Sequence, residues 1–335
     1  MRVFSWGIPA QRDTRGGGML TYRCGLLLVM LALASRAEVQ AGSPLPMEIK
    51  CPVGGKRFTH IGTATMSRWG SRPDGKPYGS WTFPVPIPEC PDNGLVIYRE
   101  FSREETRTLK RVLATPEYQQ MRGAETPYYR ASWLMGQLND PVENQLWFLQ
   151  QASWETDLDL PRKARYQEEF VRRARSEVKP ETPQDELSWI VTQLRAVNAL
   201  RELEKFDEAL QLLDAIPLAS LDVAVPEEKV SGTTPSGLGK QVENYGEIRA
   251  AQSRRSWLPY ADSLRKVIVR HDPASEPIDM LPVRVAAGIC ATRQSSAPEY
   301  QQVCQSDAVR QQMDKAEKMR SLISSPPQTD GGTPR

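Results

Sequence analysis

Two short segments, Cys51-Pro52-Val53-Gly54-Gly55 and Cys90-Pro91-Asp92-Asn93-Gly94, constrain this chain more than anything else in it. Each carries the cysteine, proline and closing glycine of a metal-binding knuckle, with Gly54 or Asn93 standing where a second cysteine would be. A tetrahedral structural zinc takes four Cys or His ligands, and the two segments together supply two. The expected replacement is a disulfide between Cys51 and Cys90, provided the chain reaches a compartment where disulfides persist. Two free cysteines, or a makeshift site from Cys51, Cys90, His60 and Asp92, are the alternatives. His60 and His271 are the only histidines, so a His-rich metal site or paired-histidine catalysis is excluded by count.

The first forty-odd residues bear on compartment. Leu26-Leu27-Leu28-Val29-Met30-Leu31-Ala32-Leu33-Ala34 is a short apolar run, preceded by Arg23 and followed by the small residues Ser35, Ala37, Ala41 and Gly42. That layout predicts a secretory signal peptide over residues 1–41, cleaved after Ala37 or Ala41, with Met19 as an alternative start. An uncleaved anchor or a buried helix is the other reading. Cleavage leaves Cys51, Cys90, Cys290 and Cys304, an even set that admits three connectivities. The pairing of sequence neighbours is Cys51–Cys90 with Cys290–Cys304, each stabilising by roughly 3–4 kcal/mol in the chain-entropy treatment. Charge is nearly balanced, 43 Lys and Arg against 41 Asp and Glu, which gives no electrostatic footprint for nucleic acid.

Composition changes at about residue 102. Residues 47–101 are rich in Gly, Pro, Trp and Tyr, with β-like runs at 47–50, 56–65 and 95–101. Pro73, Pro77, Pro84, Pro86 and Pro88 exclude interior strand or helix from 68–88, which reads as a long ordered loop. Its Trp69, Arg72, Tyr78, Trp81 and Phe83 form a possible ligand surface of stacking faces and directed cations, or else rings that pack on the knuckles. From Ser102 the pattern is helical. Ser102-Arg103-Glu104-Glu105 is a capping box. Asp140-Pro141 and Thr182-Pro183 place proline at a first helical position, and Ser296 to Glu299 opens a last helix reaching about Leu322. Ala199 to Pro217 resembles a tetratricopeptide-type hairpin, with Phe206 opening its second helix, Ala209 at the close approach and Leu213 on the same face, or else is an ordinary helical hairpin. Tyr129–Trp133 with Leu149–Trp154 reads as a degenerate copy. Residues 225–239 read as a polar linker and 323–335 as a disordered tail.

Several constellations read as structural. The Thr234–Lys240 segment lacks the glycine and Ser/Thr of a phosphate loop. Ser263-Leu264-Arg265-Lys266 lacks the partner motifs of the penicillin-binding enzymes. His271-Asp272-Pro273 reads as a helix C-cap, the carboxylates of 154–159 as a solvated helix end, and 162–175 as a charged helix face.

Taken together, Cys51-Pro52-Val53-Gly54-Gly55-Lys56-Arg57-Phe58, Cys90-Pro91-Asp92-Asn93-Gly94 and the Phe206 hairpin resemble a bacterial domain-of-unknown-function family with an N-terminal zinc ribbon followed by TPR-like helices. The resemblance covers about residues 47–217. It implies cysteines at 54 and 93, which this chain lacks, so zinc binding does not carry over. What it does imply is the approach of Cys51 to Cys90 and a helical binding surface.

The expected architecture is mainly α. TPR-like helical hairpins over 102–322 follow a small β-rich, zinc-ribbon-derived module over 47–101. The expected role is that of an exported, non-enzymatic interaction or scaffold protein of the bacterial periplasm or envelope. Its partner would be a protein or peptide, with no cofactor, no nucleic acid and no membrane span after signal cleavage. An envelope-acting enzyme with a site around His60, Asp92 and the aromatic loop, and a cytoplasmic zinc-ribbon regulator, are the alternatives.

Overall fold

Inward and outward residues alternate at the N-terminal edge of the fold, as a two-stranded ribbon requires. Strand β1 (Ser43–Lys50) pairs antiparallel with β2 (Arg57–Thr65), setting Ile49 opposite Phe58 and Met47 opposite His60. The first knuckle is their turn, closed by the Cys51 amide on the Lys56 carbonyl at 2.8 Å. The computed structural model describes residues 43–233, 240–292 and 296–324. The expected signal peptide, residues 234–239 of the linker and the tail from 325 lie outside the described residues.

Two segments differ from the sequence expectation. Residues 68–88 are not all loop: β3 (Arg68–Ser71) and β4 (Pro77–Gly79) form a second antiparallel ribbon. Every strand of a two-stranded ribbon is an edge, so Pro77 can occupy one without breaking an interior ladder. Conversely, 95–101 is not a strand. Its backbone pairs only across the second knuckle, through Cys90 N to Leu95 O and Ile97 N to Pro88 O. Beyond Ile97, the Tyr98 and Arg99 side chains bond to Asp140 instead.

The helical part runs as α1 (Arg103–Val112), α2 (Pro116–Ala124), α3 (Pro127–Gln137), α4 (Val142–Glu155), α5 (Leu160–Ser176), α6 (Pro183–Glu202) and α7 (Phe206–Ala215). Its starts are written locally. Ser102, Thr115, Thr126, Asp159 and Thr182 each accept an amide of the first turn, and proline opens α2, α3 and α6. The box at Ser102 is complete, since Glu105 Oε2 also accepts the Ser102 amide at 2.7 Å. Hydrogen bonds from Arg99 and from that amide hold the Glu105 carboxyl down at about 2. Ser102→Ala is expected to cost about 1 kcal/mol in urea unfolding; an unchanged midpoint would mean that tertiary packing alone holds α1.

Asp140-Pro141 departs from the same expectation. Pro141 precedes α4 without a side-chain cap, because the Asp140 carboxylate is already engaged by Tyr98 and Arg99. Helix ends are equally local. Asn139, Glu204 and His271 take positive φ after α3, α6 and the helix Trp257–Val269. Each donates to a carbonyl of the last turn, and so does the residue after it, the Schellman arrangement made here without glycine.

From α3 to α7 each helix packs chiefly on its neighbours in sequence. Tyr128, Leu149, Tyr166, Phe170, Ile190, Leu194 and Leu213 build the main core between them. Ala209 is fully enclosed at the α6–α7 approach. The expected linker instead carries a third ribbon, β5 (Val230–Thr233) with β6 (Lys240–Val242). Asn244 secures it by accepting from the Lys229 amide and donating to Glu227 O. The chain continues through α8 (Tyr245–Arg255), α9 (Trp257–Val269), which packs on α6 and α7, and α10 (Val283–Thr292). The last expected helix is two, α11 (Pro298–Cys304) and α12 (Asp307–Ser324), broken at Gln305–Ser306. The chain is thus mainly helical, with small β ribbons at its N-terminal side. Among the described residues no helix is long and apolar enough to cross a membrane.

Candidate functional site

The two knuckles meet. Cys51 and Cys90 lie with their sulfurs 2.30 Å apart, both enclosed. They share a core with Leu95, Leu109, Leu113, Tyr118 and Leu134, so the knuckles and α1–α3 pack as one body. Positions 54 and 93 also adjoin: a Cβ on Gly54 would stand 3.7 Å from Asn93 Nδ2. The Asn93 amide bridges the knuckles by donating to Val53 O at 2.9 Å while its oxygen accepts from Leu95 N. The second knuckle's carbonyls are taken up by the helices. Gly94 O accepts from Tyr118 Oη and Arg130, and Arg122 donates to Pro91 O and Asp92 O. Gly94 has φ +72°, and a Cβ there would strike Arg122 at 2.7 Å, so both its conformation and its contact require glycine.

The makeshift metal set does not converge. Asp92 pairs with Lys56 at 2.6 Å in an exposed position, while His60 lies against the backbone of Pro86. Burial lowers the His60 pKa, and the bond to Pro86 acts the other way. Among the described residues no group of three or more His, Cys, Asp or Glu is placed to hold a metal ion. Cys290 and Cys304 lie with sulfurs 1.91 Å apart, joining α10 to α11 beside the small core of Ile278, Ala286, Ala287 and Val309.

The loop expected to present a ligand surface is instead docked onto the helices, and Arg72 is the clearest correction. It is buried and bonds to Asp74 in its own ribbon and to Asp157 after α4, so it is not a free cation. The rings do not pack on the knuckles either. Trp69 lies beneath the Arg284 guanidinium at 4.6 Å, Tyr78 donates to Glu276 at 2.8 Å, and Phe83 is buried under Arg68. Trp81 is half-buried, its indole N–H enclosed without a partner among the described residues.

The tip of the β3–β4 ribbon is held through its main chain by three helices. Gln150 of α4 donates to Asp74 O at 2.5 Å. Arg195 of α6 and Tyr260 of α9 both donate to Pro73 O. Below the tip runs an ion-pair chain. Asp157 accepts from Arg72 at 2.8 Å, Lys76 at 2.7 Å and Lys163 at 3.1 Å, and Lys163 reaches Glu202 at 3.1 Å. Burial would raise the Asp157 carboxyl, but the hydrogen bonds from Arg72 and Lys76, with the charge of Lys163, hold it well below the ordinary range. Burial likewise opposes the Arg72 charge, and Asp74 with Asp157 overcome it and push its pKa up. Asp157 is thus no part of a solvated helix end. No local pattern marks it, because two of its three partners, Arg72 and Lys76, come from a ribbon some eighty positions away.

The hairpin residues sit as their roles require. Phe206 opens α7, and Ala209 and Leu213 are buried. Phe206 stacks on the His271 ring at 4.6 Å, so His271 closes α9 by its backbone and packs its ring, with no dipole argument needed. Glu155, the other carboxylate near Asp157, accepts the Tyr128 amide at the start of α3. Burial raises its pKa, while the bonds from Thr126 and the Tyr128 amide act the other way; its contacts are those of a helix start. Ser263 and Lys266 lie one turn apart on α9, where Lys266 is exposed. Comparisons with protein families, with curated proteins and with solved structures find no match to this chain.

Proposed function

We propose that this protein is an exported, non-enzymatic interaction or scaffold protein of the bacterial periplasm or envelope, descended from a zinc-ribbon and TPR-like ancestor whose metal a disulfide has replaced. The observation that carries the reading is the capture of the β3–β4 tip. Side chains from α4, α6 and α9 hold the Pro73 and Asp74 carbonyls of the ribbon's turn, so this face of the helical array grips main chain, and stacked helical hairpins offer such surfaces to partner segments. The two cysteine pairs at disulfide distance and the adjoining positions 54 and 93 support the exported, metal-free part of the reading. The partner is a protein or peptide of the envelope.

The test is the intact mass of the protein purified from its native host, before and after reduction, with a zinc assay. The expected chain lacks residues up to Ala37 or Ala41, gains about 4 Da on reduction of two disulfides and carries no zinc. A full-length, reduced, zinc-bearing chain would overturn the proposal in favour of a cytoplasmic metal module.

A further inference from the structure

Beside the captured tip lies a cavity of about 360 Å³, walled by Pro73 of the ribbon, Trp257 and Tyr260 of α9, and the Met280–Pro282 segment, with Arg195 entering from α6. Its size is that of a small-molecule site, and its lining is mixed: Trp257, Met280, Leu281 and Pro282 give it an apolar side, and Ser71, Arg72, Arg195 and Ser256 a polar one. Arg195 is the group that gives it chemistry. Its guanidinium lies 5.1 Å from the Trp257 ring centroid and 5.2 Å from that of Tyr260, and Nη1 is occupied by Pro73 O.

Nε and Nη2 have no acceptor among the described residues, and no carboxylate lies within ion-pair distance of this side chain. Arg72, the cavity's other cation, is neutralised by Asp74 and Asp157. The Asp74 carboxylate in turn is taken by Arg72 and the Lys76 amide. Gly75, at φ +89°, lies against the guanidinium, where a Cβ would stand 3.0–3.3 Å from Nη2, Cζ and Nε, so a side chain there would crowd it. A half-buried guanidinium with unused donors beside a cavity lacks a counter-ion.

We propose that this cavity binds a small organic monocarboxylate, its apolar body against Trp257, Tyr260, Met280 and Leu281 and its carboxylate on the free donors of Arg195. One uncompensated cation calls for one negative charge, and the planar fork suits a carboxylate. The apolar side formed by Trp257, Met280, Leu281 and Pro282 calls for an organic body rather than an inorganic anion. This goes beyond the scaffold reading, which concerns the captured segment and a macromolecular partner, and either can fail without the other.

The test is calorimetric titration of the disulfide-intact protein with phenylacetate and hexanoate, using phenylacetamide as the neutral counterpart of the first. At least one acid is expected to bind and the amide not to. Arg195→Gln should weaken binding at least about tenfold, the loss expected for a charged hydrogen bond. Ser256 is an exposed cavity residue, and Ser256→Trp should block entry with Arg195 intact. If Arg195→Gln does not fold, as a thermal melt will show, Ser256→Trp decides alone. Absence of binding of both acids up to about 10 mM, an amide that binds as well as its acid, or folded variants that bind like the parent would each overturn the proposal.

Discussion

Asp157→Asn is expected to lower the unfolding free energy by about 3–5 kcal/mol, the cost of removing one partner from a buried charge cluster. The substitution keeps the shape of the side chain and deletes its charge. Arg72 and Lys163 are then left buried, with Lys76 partly so, and only Asp74 and Glu202 remain to balance them. Asp159→Asn is the control two residues away. Asp159 caps α5 from a partly exposed position, and asparagine caps as well as aspartate, so that change should be nearly neutral. Urea unfolding of the three proteins at neutral pH decides it; a pair of variants with equal midpoints would remove Asp157 from the centre of the cluster.

The same residue predicts a pH dependence. Folding depresses the Asp157 carboxyl below its unfolded value of about 3.9. The ion pairs therefore contribute fully above about pH 5 and are lost progressively as pH falls through the unfolded pKa toward the folded one. The parent should lose stability between about pH 5 and 2 more steeply than Asp157→Asn, whose residue 157 does not titrate. Parallel pH profiles would contradict the assignment.

Removal of the knuckle bond is the second large effect. Cys51 and Cys90 are 39 residues apart, a loop whose closure is worth about 4 kcal/mol in the unfolded chain. Alanine at both positions avoids burying hydroxyls among Leu95, Leu109 and Leu134 and isolates the cross-link together with a small loss of packing. The 14-residue separation of Cys290 and Cys304 corresponds to about 3 kcal/mol, and that pair serves a smaller core beside α10 and α11. Thermal unfolding of the two double variants should therefore rank the knuckle pair as the more costly. The reverse order would show that the knuckles are held mainly by the bonds of Arg122, Arg130 and Tyr118 to the second knuckle.

Asp157 and the knuckles mark opposite limits of legibility. The knuckle turns were readable because they are local: cysteine, proline and a glycine able to take positive φ lie within five positions. The helix starts were readable for the same reason, and Thr115-Pro116 and Thr126-Pro127 carry the signal seen at Thr182-Pro183 and would have located α2 and α3. Phe206, Ala209 and Leu213 follow from helical spacing within one hairpin. The aromatic loop was misplaced, because composition reports that Trp69, Tyr78 and Phe83 will be covered but not by what.

The amino-acid sequence by itself determined the mainly helical class, the helix boundaries written by caps and prolines, and the knuckle turns. Each is set by interactions between residues a few positions apart, whose geometry the chain carries wherever it goes. Only the tertiary structure decided that the ribbon tip is seated among α4, α6 and α9. It alone brought Arg72 to Asp157 across 85 positions and left the Arg195 guanidinium beside a cavity. Those groups meet through the docking of whole elements, and a charge that is solvated in one docking is buried and decisive in another.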